Sequence, residues 1–73
     1  METKTLPISQ NLRVFRVMRK ITQAELAKKI GTSQNAVSSW ETGETTPKIH
    51  ILQRICDEYH VPIDFFLKEI GNV

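Results

Sequence analysis

Residues 22–43, TQAELAKKIGTSQNAVSSWETG, decide the fold. Thr22 followed by Glu25 has the spacing of a capping box, in which each side chain satisfies an orphan amide at the start of a helix. Leu26, Ala27 and Ile30 then recur at helical spacing. Gly31 stands where that helix must stop, and glycine takes the left-handed conformation a stop needs without a Cβ penalty. Ser33 is placed to cap a second helix, whose inward positions are Val37 and Trp40, three apart. Small Ala27 and Ala36 let the two helices approach closely. Gln34, Asn35, Ser38 and Ser39 are left pointing outward, a row of uncharged hydrogen-bonding side chains.

A helix, a glycine-containing turn and a second helix with outward amides and hydroxyls is the arrangement by which a helix-turn-helix reads duplex DNA. The segment resembles the lambda-repressor-like (Cro/Xre) helix-turn-helix family of bacterial and phage regulators. The likeness rests on TQAELA from Thr22, on Gly31, on Val37 followed by Trp40, and on the W-E-x-G exit ending at Gly43. It continues through Pro47 and the VPIDFFL segment from Val61 to Leu67, covering roughly residues 8–69. The resemblance implies an all-α, five-helix domain in which helices 2 and 3 form the helix-turn-helix.

The rest of the chain fits that count. Residues 1–6 are polar and expected to form a disordered tail, with the domain proper over 7–70. Helix 1 is predicted to start near Pro7–Ser9 and to run to about Lys20, with Ile8, Leu12 and Phe15 inward. Helix 2 is predicted over Gln23–Ile30 and helix 3 over Gln34–Glu41. Thr46-Pro47 reads as cap and first residue of helix 4, which runs to Tyr59 with Ile49, Leu52, Ile55, Cys56 and Tyr59 on one face. His60 and Lys20 stand where relatives commonly carry glycine, so His60 is expected in a left-handed conformation. Helix 5 is predicted over Pro62–Glu69, burying Ile63, Phe66 and Leu67.

Seventy-three residues leave room for one core. A chain of this size buries only about 60% of its unfolded surface, so packing must be efficient. Cys56 is the single cysteine, which excludes an internal disulfide and points to a reducing, cytoplasmic setting. His50 and His60 lack further ligands at metal spacing, and no cofactor is expected. METKTLPIS has no basic-then-apolar signal pattern, and no apolar run approaches the ~20 residues of a membrane span. Ser38 and Ser39 have no histidine base beside them, so the chain is not expected to be an enzyme. Charge is polarised along the chain: residues 1–54 hold nine Lys/Arg against four Asp/Glu, a net of +5, and residues 55–73 hold one against four, a net of −3. Such polarity suits a domain that turns one end to a polyanion.

Base readers must both donate and accept near the start of the inserted helix. Gln34 and Asn35 fit because their amides can pair bidentately with adenine N6/N7, with Ser38 and Ser39 completing the face. The resemblance implies backbone contacts at Gln23, whose helix dipole also attracts phosphate, and at Thr42 and Thr45. Lys28, Arg19 and Lys4 are candidates for longer-range phosphate attraction, whereas Arg13 and Lys29 read as solvated charge. Glu44 departs from the usual Lys or Asn and should repel phosphate. The resemblance further implies an ion pair between Arg16 and Glu41 that fixes helix 3 against helix 1.

Two regions carry surplus apolar groups. Phe65, beside Phe66, is assigned with the tail to Val73 to a candidate homodimer interface, as similar proteins pair through that end. Val14, Val17 and Met18 lie opposite helix 1's inward stripe, as a second partner site or as ordinary scatter. The expected function is a sequence-specific double-stranded-DNA-binding transcriptional regulator, a repressor of phage or mobile-element type on a palindromic operator. The alternative is an antitoxin or protein-binding helix-turn-helix adapter, with DNA binding secondary.

Overall fold

The computed structural model describes residues 7–68, which form five α-helices: α1 Pro7–Met18, α2 Gln23–Ile30, α3 Gln34–Thr42, α4 Ile49–Tyr59 and α5 Ile63–Leu67. The tail at 1–6, with Lys4, and the end from Glu69 to Val73 lie outside the described residues. α1 packs against α3 and α5, α2 against α3 and α4, and α4 against α5. Leu12, Phe15, Leu26, Ile30, Val37, Leu52, Ile55 and Phe66 fill the centre, each nearly or wholly removed from water. Phe15 meets Tyr59, Phe65 and Phe66 edge-on, with ring centroids 5.3, 6.5 and 5.5 Å away. That geometry sets positive ring edges against negative faces.

The structure corrects the sequence reading at several places. α1 ends at Met18, and Lys20 turns the chain with φ +58°. α4 starts at Ile49 with Lys48 as its cap residue, because the amides of Ile51 and Leu52 close on the Lys48 carbonyl. Thr46 and Pro47 precede the helix, and Pro47 is buried in the connecting loop. Ile49, expected inward, is 65% exposed, since this first turn overhangs the core that begins at Leu52. α5 ends at Leu67, which is 49% exposed. The half-buried Phe65 takes the place expected of Leu67, packing on Phe15 and Phe66.

Sequence periodicity missed two buried polar residues, Ser9 and Asn11. Asn11 Nδ2 donates to the carbonyls of Phe65 and Lys68 at 2.9 and 2.6 Å, satisfying the last turn of α5 from α1. Its Oδ1 has no partner among the described residues. Cys56 is buried, and loss of hydration, followed by the neighbouring Asp57 charge, pushes its thiol above the ordinary value.

His60 ends α4 with φ +57° and ψ +49°, its amide donating to the Cys56 carbonyl. A left-handed conformation costs an L-residue about 1–2 kcal/mol. His60→Gly, after the extra entropy glycine loses on folding, is expected to stabilise the domain by about 0.5–1 kcal/mol. A higher urea midpoint with unchanged slope is the readout. A lower midpoint would mean the imidazole makes a stabilising contact that outweighs the strain.

Candidate nucleic-acid interface

The α2–α3 unit is built by local chemistry. Thr22 Oγ1 accepts from the Glu25 amide at 3.0 Å while Glu25 Oε1 accepts from the Thr22 amide at 2.8 Å, so the capping box is closed from both sides. Gly31, at φ +86°, donates its amide to the Ala27 carbonyl and stops α2. Ser33 Oγ then accepts from the Ala36 amide at 3.1 Å and opens α3. These caps fix the phase of α3. Val37 and Trp40 face the core, Gln34 and Asn35 are exposed, and Ser38 and Ser39 are half-exposed beside them.

One polar chain ties that outer face to the body of the domain. Arg16 Nε and Nη2 donate to the two Glu41 carboxylate oxygens at 2.6 and 3.0 Å, a bidentate pair. Arg16 Nη1 donates to the Ile21 carbonyl at 2.8 Å, which also fastens the α1–α2 connection. The hydrogen bond to Glu41 raises the Arg16 pKa above its ordinary value, against the opposing effect of burial. Gln23 Nε2 donates to Glu41 Oε1 at 3.1 Å, and Gln34 Nε2 reaches Gln23 Oε1 at 3.5 Å. The Gln23 side chain therefore lies between the ion pair and the exposed Gln34.

The remaining candidates separate. Thr42 Oγ1 donates to the Ser39 carbonyl at 3.1 Å and accepts from the Glu44 amide at 3.4 Å, so its hydroxyl proton is already used. The Thr45 amide donates to the same Ser39 carbonyl at 3.2 Å, leaving its side chain exposed. Ser39 Oγ donates to Glu44 Oε1 at 3.4 Å, a contact that residue spacing alone does not reveal. Lys28 is exposed on α2, without a hydrogen bond or ion pair among the described residues. Arg19 is occupied elsewhere: its guanidinium lies 5.0 Å from the Phe15 ring centre and Nη1 reaches the Tyr59 carbonyl at 3.5 Å. Val17 and Met18 are 56% and 73% exposed, with Val14 half-buried next to them. The described residues contain no His/Cys/Asp/Glu group able to hold a metal, and no described helix is long and apolar enough to cross a membrane.

Comparison with known proteins agrees with this geometry. The family model for helix-turn-helix proteins matches residues 12–66. The cryptic phage CTXphi transcriptional repressor RstR of Vibrio cholerae is 34% identical over 55 residues, covering 75% of this chain and 50% of RstR. The chain spans about half the length of the curated relatives it matches. Among solved structures, the P22 c2 repressor in complex with a synthetic operator superposes with a TM-score of 0.77 at 34% identity, covering 89% of this chain and 97% of that one. The same fold recurs in hydroxypropylphosphonic acid epoxidase from S. wedmorenis, with a TM-score of 0.79 and 25% identity over 97% of this chain and 38% of the enzyme. Match length, identity and five-helix architecture together make this chain a member of the lambda-repressor-like (Cro/Xre) helix-turn-helix family.

Proposed function

We propose that the chain is a sequence-specific double-stranded-DNA-binding transcriptional regulator, a repressor of phage or mobile-element type that acts in the cytoplasm by occluding an operator. The observation that carries this reading is the outer face of α3, where Gln34 and Asn35 stand in solvent at the helix start while Val37 and Trp40 hold the opposite side. A major groove admits such a helix, and amides match the adenine N6/N7 edge. In this reading Gln34, Asn35, Ser38 and Ser39 contact bases. Gln23, Thr42, Thr45 and Lys28 serve the phosphates, Gln23 chiefly through its backbone amide in the open first turn of α2, because its side chain is engaged. No catalytic step is assigned to it. The similarity to the epoxidase covers a minor share of that enzyme and supports a shared helical module.

Selection of bound DNA from a random pool tests the reading. The wild-type chain is expected to enrich one motif, and Gln34→Ala and Asn35→Ala each to lose preference at particular base positions. Each lost base contact corresponds to about 1–3 kcal/mol. Equal weakening on all sequences would reduce these residues to backbone clamps, and failure to enrich any sequence would remove the regulator reading.

A homodimer on a palindromic operator, with reading helices roughly 34 Å apart, is part of the proposal. Phe65 is half-buried and so keeps part of its surface exposed, and Val73 lies outside the described residues. Sedimentation showing monomer alone, with and without DNA, would remove the pairing. The exposed Val17 and Met18 favour one second reading, an antitoxin or adapter that binds a protein through α1. Stable co-purification of a partner lost in Val17→Ser/Met18→Ser would favour it.

A further inference from the structure

We propose that Ser39 and Glu44 form an acceptor-only pair on the α3 face that selects an exocyclic amino group, cytosine N4 or adenine N6, at one operator position. The proposal rests on the regulator reading above and assigns part of its specificity to a residue that charge alone would mark as unfavourable to DNA.

The loop after α3 is folded to make this pair. Gly43, at φ +86°, reverses the chain. Thr42 Oγ1 and the Thr45 amide both donate to the Ser39 carbonyl, and Thr42 Oγ1 accepts from the Glu44 amide. Held at three points, the loop returns the Glu44 carboxylate to Ser39, whose hydroxyl donates to it at 3.4 Å. A serine hydroxyl carries one proton. With that proton directed at Glu44, both side chains present only lone pairs outward. The 3.4 Å separation is long for a hydroxyl–carboxylate bond, leaving room for one amino group to face both oxygens.

A duplex offers few matches to such a pair. Guanine O6 and N7 and thymine O4 are acceptors, and phosphate is an anion; each is repelled. Cytosine N4 and adenine N6 are the major-groove donors. The placement also carries a local cost. Glu44 follows the C-terminal end of α3, where carbonyl dipoles disfavour an anion. It has no cationic partner among the described residues, whereas Glu41 on the same helix end has Arg16. A local electrostatic rule broken without compensation is expected at functional positions.

The test is random-pool selection with the full chain as wild type, Glu44→Gln and Ser39→Ala, each checked for an unchanged thermal melt. The wild type is expected to prefer C or A over G and T by about tenfold at one position. Glu44→Gln removes the charge and replaces one acceptor oxygen with an amide donor, so it should admit G or T there, reducing the preference to about twofold or less while other positions hold. Ser39→Ala removes one acceptor and should weaken the preference at that same position. If Glu44→Gln keeps every preference, or tightens binding to all sequences alike, Glu44 is a phosphate repeller alone and the proposal is overturned while the regulator reading stands. Enrichment of no sequence by the wild type would overturn both.

Discussion

Phe66→Ala is expected to cost about 3–5 kcal/mol, a large share of the domain's stability. A domain of this size has only roughly 4–11 kcal/mol in total. Phe66 has no exposed surface, and its ring meets Phe15 and Phe65 edge-on at 5.5 and 5.3 Å. α5 has five residues and no side-chain cap at its start, so propensity alone would not hold it. Its attachment comes from this aromatic cluster, from Ile63 packed on the core, and from the Asn11 hydrogen bonds to the carbonyls of Phe65 and of Lys68 just past its end. Removing the ring opens a cavity at the junction of α1, α4 and α5. Urea unfolding followed by helical circular dichroism measures the loss. A change under 1 kcal/mol, on the order of a small surface effect, would show that the remaining side chains collapse into the space.

Glu41→Ala carries the second largest effect, about 3 kcal/mol, at the lower end for breaking a buried pair because Arg16 keeps 15% of its surface exposed. For a domain this small that corresponds to a fall in Tm on the order of 15 °C. The Glu41 side chain is only 4% exposed and accepts from Arg16 twice and Gln23 once. Its loss leaves a guanidinium with one remaining bond, to the Ile21 carbonyl, in a partly dry site. Because the pair raises the Arg16 pKa in the folded state, its contribution is complete below the ordinary arginine range and is lost only as pH rises beyond it. The penalty should therefore be present in any neutral buffer. An unchanged melting temperature would reduce the pair to a surface contact.

The sequence was most legible where structure is specified locally. α2, the turn and α3 are written by Thr22, Glu25, Gly31 and Ser33, all within two turns of the groups they satisfy. The left-handed His60 was legible only through the resemblance, because relatives commonly carry glycine there. Legibility failed where a partner is distant or a motif serves two structures. Asn11 pairs with carbonyls 54 and 57 residues away, which no helical period can announce. Thr46-Pro47 fits a helix start and equally a loop, and here Pro47 is buried in the loop while α4 begins at Ile49. At the site, spacing correctly put Gln34 and Asn35 outside but could not show the Gln23 amide turned onto Glu41, nor Arg19 laid over Phe15. Glu44 was visible as a wrong-sign charge, and only the folded loop joins it to Ser39.

The buried Cys56 gives the domain an internal clock. Its thiol is 6% exposed and less acidic than a free cysteine, so an alkylating reagent meets a reactive sulfur only when α4 comes away from the core. As the chain has a single cysteine, every adduct reports that one opening event. Mass gain against time, divided by the rate for the unfolded peptide, reads the fraction of molecules open at any moment. Variants can then be ranked in plain buffer, without denaturant or dye.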